Sequence, residues 1–344
     1  AHLETNLILP GSVGRHALTT LYVEYANTGT IAMPAPLLVL RGTDRALMTL
    51  DQSRVVEGFW TSAVPDGYSD TVQILGCGIT MGVLQPGEQH RVPVYYAGML
   101  QPWDFADHSV DFTLETMDTE TTTAIDWDAI GDGLRPASLS TAAWEVIYAN
   151  LVSQVGTTWG DYVQMLDDNA AYLGVLGQPV VDVNQLWQFE VQQAAGLSPI
   201  PVLTVAVDVE VPAPQMPLTF GRSFLPSLAA RHKLGPLGRG WFLAGGWQRV
   251  LQVEPDGTIA ISKAAGGERR FEPDSRGGYF SQAGDHGGLE SLGGGRFVLR
   301  EPNGLLTCFR ADGKVDYVEE TNGNRITAGY TGDRLTGLTH TSGR

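Results

Sequence analysis

Turn signals built on glycine recur at short intervals through the C-terminal part of this chain. From Phe297 onward, the segments between them have the length of β-strands. Asn-Gly and Asp-Gly pairs between such segments favour hairpins, because both pairs tolerate the positive φ angles of turns that match strand twist. The pattern predicts a repetitive antiparallel β array, for which a propeller, a barrel and a wrapped shell fit equally well. The signals are Asp256-Gly257, Gly266-Gly267, Asn303-Gly304, Asp312-Gly313, Asn322-Gly323, Gly332-Asp333 and Ser342-Gly343.

The stretch that leads into this array, residues 218–247, contains a compact turn and two tryptophans. Glycine reaches backbone angles closed to other residues and proline fixes one torsion, so the sequence GPLGRGW prescribes a definite bend. An ordinary turn rich in Gly and Pro is the alternative interpretation. We expect the bend to deliver Trp241 into a fixed, buried position as a structural anchor at the start of the array. The turn residues are Gly235, Pro236, Gly238 and Gly240.

Two stretches of this region carry more specific motifs. They are GRSF followed by GPLGRGW, and the unit Asn322-Gly323-Asn324-Arg325-Ile326 with Tyr330 and Gly332-Asp333-Arg334-Leu335 after it. Over residues 202–344 the chain resembles the bacterial RHS proteins, also called YD-repeat proteins, which are related to the teneurins. The usual Tyr-Asp pair of that family is spread out here as Tyr330 and Asp333. The resemblance implies repeats that spiral into a hollow cocoon, which in that family often encloses a toxic C-terminal domain.

Residues 1–117 show the periodicity of a β-sandwich. Leu21, Val23 and Tyr25 alternate with other residues at the period of a half-buried strand, and further strands are predicted at 37–40 and 92–96. The motifs LQPGE at 84–88 and YANTG at 25–29 resemble turns of bacterial immunoglobulin-like modules. The resemblance implies an immunoglobulin-like spacer or adhesion module, a class that rarely carries catalysis.

Between residues 118 and 200 the apolar period changes from two to nearer four, which predicts a short helical connector. An apolar stripe over 143–151 indicates a first helix that ends near Gly156. Capping-box spacing at 158–161 and again at 182–185 predicts the starts of two more helices. Helices this short need packing partners, so their aromatic side chains are expected in a core. The tryptophans concerned are Trp159 and Trp187.

A proline-rich link near residue 200 separates the helices from the β array. The strand predicted over 205–211 alternates valine with Asp208 and Glu210, which face the other way, and leads into the shell. We predict a mainly β fold of three domains. They are an immunoglobulin-like β-sandwich at 1–117, a short α-helical connector at 118–200, and the start of an antiparallel RHS/YD-type β-shell at 201–344.

The formal charge of −16 is concentrated in the first 200 residues, which hold 23 Asp and Glu against 6 Arg and no Lys. An acidic surface repels phosphates, which argues against a nucleic-acid partner. No stretch approaches the ~20 apolar residues of a membrane span. Cys77 and Cys308 are far apart in sequence, so no disulfide framework is inferred and two buried free thiols are expected.

Carboxylate clusters are the ligand-like features of the sequence. Asp126, Asp128 and Asp132 lie in IDWDAIGDG and could supply three of the six to eight oxygens that calcium takes. The EF-hand pattern fails, because Ala137 stands where that motif needs its closing glutamate. Calcium is therefore the one candidate cofactor, with helix capping or solvent exposure of these carboxylates as the alternative. A second cluster comprises Asp104, Asp107 and Asp111.

The sequence lacks the local motifs of catalysis. Seven histidines are scattered singly without HExxH spacing, and no GxSxG elbow marks a nucleophile. A Ser-His-Asp triad assembles only in space and stays open, and sequence spacing says nothing of the carboxylate separation that a glycosidase needs. We therefore expect a protein that is not an enzyme.

We expect a structural fragment of a large secreted or cell-surface protein, since the chain starts at Ala1 and stops within a repeat at Arg344. It would form the N-terminal end of a β-cocoon that encloses a C-terminal toxin-like cargo or mediates cell-surface interaction. Expected partners are the rest of the same polypeptide, neighbouring copies that pair with open sheet edges, and a cell-surface glycan or protein. The alternative is a carbohydrate-binding or adhesion module, with a hydrolase third. A surface groove lined by Trp60, Trp103 or Tyr68 would favour the carbohydrate-binding or adhesion module.

Overall fold

A computed structural model describes residues 1–14, 17–43, 46–56, 67–98, 109–136, 139–196, 205–263 and 268–343, with the side chains of 194–196 left out. The fold is mainly β, with 42% strand and 19% helix. The chain divides into two compact units. The N-terminal unit comprises Ala1–Ile200 together with Ser227–Lys233, and the C-terminal unit comprises Pro201–Pro226 and Leu234–Arg344. In the described part, no helix is long and apolar enough to span a membrane.

The N-terminal unit begins with antiparallel strands in two main sheets. One sheet has the order β1-β2-β8-β5, the other has the order β6-β4-β9, and β3 pairs with β7. The strands are β1 (Leu3–Ile8), β2 (Leu18–Asn27), β3 (Met33–Pro34), β4 (Leu37–Gly42), β5 (Leu47–Thr49), β6 (Thr71–Leu75), β7 (Val83–Leu84), β8 (Gln89–Ala97) and β9 (Phe112–Met117).

The two sheets pack face to face around a shared apolar core. Every second residue of β2 from Leu21 to Tyr25 is buried there, as the alternation in the sequence predicts. Leu38 and Leu40 of β4 enter the same core from the opposite sheet. The predicted strands at 37–40 and 92–96 are confirmed within β4 and β8. The immunoglobulin-like character of this sandwich stays a prediction.

Four helices follow the strands. They are α1 (Trp127–Ile130), α2 (Thr141–Val155), α3 (Trp159–Val175) and α4 (Val183–Gly196). One 3-10 turn, Gln52–Val56, lies between β5 and β6, and another, Asp132–Leu134, follows α1. The capping box at the start of α3 is confirmed, because Thr158 accepts from Asp161 N at 3.1 Å and the Asp161 carboxylate accepts from Thr158 N at 3.1 Å. Helix α2 ends at Gly156, whose φ of 137° few other residues adopt.

The helices form a layer on the sheet β6-β4-β9. Leu37 and Val39 of β4 pack among the helices, whereas Leu38 and Leu40 face the sandwich core. Strand β4 is therefore buried on both faces, which explains its uninterrupted apolar sequence. Trp159 and Trp187 lie in the helical core, as predicted. The segments 1–117 and 118–200 thus share one compact unit, so the helices are a third layer and not a connector.

Residues 227–233 also belong to the N-terminal unit, although they lie beyond residue 200 in sequence. Leu228 is buried in the helical core. Arg231 forms an ion pair with the fully buried Glu190 of α4. The His232 ring lies 4.7 Å from that of Tyr172, between centroids. We call residues 227–233 the returning segment.

The C-terminal unit is an array of antiparallel strands. The sheets have the orders β10-β11-β14, β12-β13, β15-β16-β17-β18, and β19-β20-β21-β22-β23-β24. The strands are β10 (Val205–Val211), β11 (Leu218–Phe224), β12 (Leu234–Gly235), β13 (Gly238–Arg239), β14 (Trp241–Leu243), β15 (Val250–Val253), β16 (Ile259–Ser262), β17 (Glu268–Pro273), β18 (Tyr279–Ser281), β19 (Gly288–Gly293), β20 (Arg296–Arg300), β21 (Leu306–Phe309), β22 (Val315–Glu319), β23 (Arg325–Thr331) and β24 (Arg334–His340).

Five loops between consecutive strands share one hydrogen-bond pattern. The first residue donates its N–H to the carbonyl of the fifth, and the fourth donates to the carbonyl of the first, all at 2.8–3.0 Å. The fourth residue is glycine each time, with φ between 79° and 87°. This is the three-residue hairpin loop that closes on a residue in the left-handed region. Four of the predicted turn signals are confirmed by it: Asp256-Gly257, Asn303-Gly304, Asp312-Gly313 and Asn322-Gly323. The loops span 254–258, 274–278, 301–305, 310–314 and 320–324.

The four-stranded and six-stranded sheets share one apolar core. Phe271 of β17 and Phe309 of β21 are among its fully buried members.

Cys308 and Cys77 are both free and buried, each in its own unit, as predicted. The signal Gly266-Gly267 lies outside the described residues.

Strand β10 is confirmed, yet its valines are not buried. Val205, Val207, Val209 and Val211 are 37–57% exposed, and Phe220 of β11, the partner of Val209, is also exposed. A bulge between Val207 and Val209 shifts the register, so simple alternation does not continue along the strand. In the described residues β10 pairs only with β11, which leaves it as an edge strand.

Candidate functional site

A polar cleft of about 560 Å³ lies in the N-terminal unit, between the end of β5 and the polar face of α4. A smaller cavity of about 180 Å³ shares four lining residues with it, so the two form one recess. The shared residues are Thr49, Gly67, Arg135 and Asn184. The larger cavity falls within the range of small-molecule sites, about 300–1,000 Å³.

Helix α4 supplies one wall of the cleft because its two faces differ. Gln185, Gln188 and Gln192 recur at helical spacing and line the cleft. Leu186 and Trp187 lie on the buried side and pack into the helical core. The same burial that anchors α4 therefore turns a row of side-chain amides towards the cleft.

Asp182 lies directly before α4, as the sequence predicts for a residue that starts this helix. Its Oδ1 accepts from Asn184 N at 2.9 Å, and its backbone forms an antiparallel bridge with Ile74 of β6. Burial is the main reason that the pKa of this carboxyl rises from 3.8 to about 6; the negative charge of Asp51 acts in the same direction, and the hydrogen bond from Asn184 N acts against it. The carboxylate is thus held at the cleft wall in a position that disfavours its charged form.

Asp51 has the opposite electrostatic environment at the same cleft. Hydrogen bonds from Ser53, the shortest at 2.6 Å from Oγ, hold the pKa of Asp51 below its ordinary value. Arg54 Nε lies 3.2 Å from the Asp51 carboxylate. Gly67, at φ 78°, leaves the space that the Arg54 guanidinium occupies, because a Cβ there would overlap it. Two carboxyl groups with pKa values shifted in opposite directions thus line one cleft.

We expect Asp182→Asn to stabilise the N-terminal unit by about 1–2 kcal/mol at about pH 8. The folded-state pKa of about 6 lies above the ordinary value of 3.8, so the folded protein prefers the protonated carboxyl. Stability is therefore lost as pH rises between these two values, and asparagine removes that loss while its carbonyl keeps the bond to Asn184 N. Denaturant unfolding at about pH 8 and about pH 3.5 measures the effect, since the gain should vanish at the lower pH. Equal stabilities of both proteins at about pH 8 would contradict it.

The three carboxylates predicted to bind calcium do not come together. Asp126 caps α1 by accepting from Ala129 N at 3.1 Å, Asp128 lies exposed in the first turn, and Asp132 begins a 3-10 turn and lines the smaller cavity. Among the described residues, no group of three His, Cys, Asp or Glu side chains could hold a metal ion. The calcium site stays a prediction, and the capping role is the one that the geometry displays.

Four of the other residues singled out in the sequence lie outside the described ranges. They are Asp104, Asp107, Trp60 and Trp103. Tyr68 is buried and lines the smaller cavity, where burial raises the pKa of its phenol to about 12. The recess is thus lined by one of the three aromatic residues that a ligand groove was expected to use. The amides of α4 were missed, although their spacing over 185–192 was visible in the sequence.

The turn before Trp241 has the predicted backbone. Gly238 and Gly240 take φ angles of 109° and 72°, and a Cβ at Gly235 would collide with the Trp241 carbonyl. Pro236 lies between the paired glycines of β12 and β13. The four predicted turn residues therefore form a tight turn directly before Trp241.

The burial predicted for Trp241 is wrong. Its ring is only half-buried, and it lies 5.3 Å from the Phe224 ring and beneath the Arg222 guanidinium, also at 5.3 Å. Phe242 is the buried residue of this turn, at 6% exposure. Adjacent strand residues point to opposite sides, so the burial of Phe242 leaves Trp241 on the more exposed side of the strand.

The predicted repeat unit at 322–335 is held by local hydrogen bonds. The Glu320 carboxylate accepts from the Asn322 and Asn324 backbone N–H groups at 2.8 and 3.2 Å, and Gly323 takes a φ of 84°. The Tyr330 hydroxyl donates to the Val315 carbonyl at 2.9 Å. Arg325 pairs with Glu319 and lies over the Tyr317 ring. Glu320, which organises the loop, was not anticipated.

No family model matches the chain, and no curated protein matches it. The interpretation of both units therefore rests on their own residues.

Proposed function

We propose that the chain is a structural, non-enzymatic part of a large secreted or cell-surface protein of RHS/YD type. The C-terminal unit would be the start of a β-cocoon, and the N-terminal unit an immunoglobulin-like module before it. The observation that carries the proposal is the repetition of one loop geometry five times along consecutive antiparallel strands. Repetition of a single hairpin unit is how extended β architectures are built.

The repeat is most regular in the six-stranded sheet. Its loops begin at Glu301, Arg310 and Glu320, so strand and loop together take nine or ten residues. Each loop places a glycine at the one position that requires positive φ. A sheet made of such units can be lengthened by further units without a new kind of connection.

Several charged side chains of this array are paired with one another. Arg269 binds Asp285 and Glu301 together, with N···O distances of 2.7 and 2.6 Å, and Lys314 binds Asp333 at 2.7 Å. Such pairs tie neighbouring strands and loops at the surface of a sheet. They suit a wall that keeps its shape, whether it encloses a C-terminal toxin-like cargo or meets a neighbouring cell.

The proposal requires an open edge that receives a further strand. In the described residues β24 hydrogen-bonds to β23 alone. An unpaired edge is a template for another chain, which can be a continuation of the same polypeptide or a second copy. Gly337 in β24 is exposed, and a Cβ there would meet no neighbouring atom within 4 Å.

We expect the isolated protein to self-associate through this edge, and Gly337→Lys to weaken that association by about tenfold. A lysine at an edge strand opposes pairing by another strand. Sedimentation velocity over a range of concentrations measures the association. Gly11→Lys is the matched control, because Gly11 is exposed, has open space and lies in the N-terminal unit. Monomer behaviour up to the highest concentration, or equal effects of the two variants, would count against the open edge.

A further inference from the structure

We propose that the polar cleft of the N-terminal unit binds a neutral ligand rich in hydroxyl groups, of the carbohydrate class. The inference is independent of the function proposed for the C-terminal unit, because the larger cavity and its lining belong to the N-terminal unit alone. It goes beyond an aromatic groove, since the groups that would recognise the ligand are amides and carboxylates.

The amides on α4 are the first reason. Gln185, Gln188 and Gln192 are exposed, and within the described residues their side chains make no hydrogen bond to the protein. Each side-chain amide offers two donor hydrogens and a carbonyl acceptor. A sugar hydroxyl both donates and accepts, so a row of amides at helical spacing matches a row of hydroxyl groups.

The balance of charge is the second reason. Asp51 and Asp182 contribute negative charge, and Arg54 and Arg135 contribute positive charge. Arg54 already lies against Asp51 at 3.2 Å, so no excess of cations is left to attract an anionic ligand. A neutral ligand that hydrogen-bonds to both signs of charge fits this lining best.

An apolar patch beside the polar groups is the third reason. Phe189 lines the cleft and is half-buried, with its ring held 6.0 Å from the ring of Tyr172. Ligand sites combine a few fixed polar groups with apolar surface, and a sugar ring presents C–H groups on one face and hydroxyls at its rim. Phe189 would meet the C–H face while the amides meet the rim.

The state of Asp182 supports a binding role. One carboxylate oxygen is fixed by Asn184 N at 2.9 Å, and the described residues give the other oxygen no hydrogen bond. A carboxyl group kept where burial opposes its charge is a feature of functional sites. A ligand hydroxyl that donates to the second oxygen would satisfy it.

The test uses four neutral oligosaccharides as probes: cellohexaose, maltohexaose, chitohexaose and mannohexaose. Saturation-transfer NMR and calorimetry with the intact chain measure binding at millimolar concentration. We expect at least one to bind, Gln188→Ala to weaken its affinity about fivefold, and Asp182→Asn to weaken it while raising the melting temperature. The control is Gln154→Ala, the same substitution at an exposed position of α2 outside the cleft, which should leave affinity within about twofold.

Three outcomes would overturn the inference. The first is that none of the four oligosaccharides binds. The second is that binding survives both Gln188→Ala and Asp182→Asn unchanged, which would place the ligand elsewhere. The third is that hexagalacturonate, an acidic probe, binds more tightly than every neutral one, which would contradict the neutral character of the ligand. The sedimentation results on Gly337→Lys bear on none of these.

Discussion

Replacement of Arg231 by methionine is expected to lower the free energy of unfolding of the N-terminal unit by about 3–5 kcal/mol. Glu190 is 0% exposed, and its carboxylate pairs with Arg231 and accepts from Asn169 Nδ2 at 2.6 Å. Methionine keeps the apolar stem but leaves the buried carboxylate without its counter-charge. A buried charge that loses its partner retains its full desolvation penalty. Denaturant unfolding followed by circular dichroism measures the loss.

Two comparisons separate this effect from a general loss of charge. Arg276→Met removes the ion pair with Asp274, but that arginine is 81% exposed, so a change of less than about 0.5 kcal/mol is expected. Replacement of both Arg231 and Glu190 by methionine removes the pair together and should recover most of the loss. A single variant at Arg231 that unfolds like the parent protein would show that this ion pair does not stabilise the unit.

Trp187→Ala is expected to destabilise the N-terminal unit by about 3–5 kcal/mol. The side chain is 1% exposed and packs edge-on against Trp144, with ring centroids 5.9 Å apart. Its Nε1 donates to the Tyr162 hydroxyl at 2.9 Å, and that hydroxyl donates to Gln73 Oε1 at 3.0 Å. The substitution therefore opens a large cavity and also breaks the chain of hydrogen bonds that joins α4 and α3 to β6.

Trp241→Ala is the matched control, since it deletes the same side chain at a half-buried site. We expect it to cost about 1 kcal/mol, because a ring that water already reaches leaves little cavity. Trp187→Phe should fall between the two, as it keeps most of the volume but loses the hydrogen bond to Tyr162. Thermal and denaturant unfolding compare the three variants. Equal costs at positions 187 and 241 would mean that burial does not decide the energetics here.

Features that depend on neighbours in sequence were predictable. The capping box of Thr158 and Asp161, the end of α2 at Gly156 and the hairpin loops at Asp-Gly and Asn-Gly are each set by a few consecutive residues. The burial of alternate residues from Leu21 to Tyr25 follows from the two-residue period of a strand. The mainly β character of the chain could therefore be inferred before its structure.

Features that depend on distant contacts were not predictable. The uninterrupted apolar sequence of β4 is typical of a strand buried on both faces, but it does not show which element covers the second face. The sequence therefore predicts a connector where the structure has a helical layer. Trp241 and Phe242 are neighbours, and which of them faces a core depends on what packs against the strand. Asp51 and Asp182 both line the cleft, although most of the sequence of the N-terminal unit lies between them. The alternation of valine with other residues in β10 is the same whether the valines are buried or exposed, so the sequence alone does not predict their exposure.

The returning segment has a consequence for synthesis on the ribosome. The N-terminal unit needs Leu228 and Arg231, which emerge about 30 residues after the end of α4, a delay on the order of seconds at normal elongation rates. During that interval Glu190 has no guanidinium to pair with, and strands β10 and β11 are already made. The N-terminal unit therefore cannot finish folding before synthesis of the C-terminal unit has begun. The order in which the two units are synthesised does not by itself give the order in which they finish folding. A stalled chain released at residue 200 should remain more open to proteases than one released at residue 233.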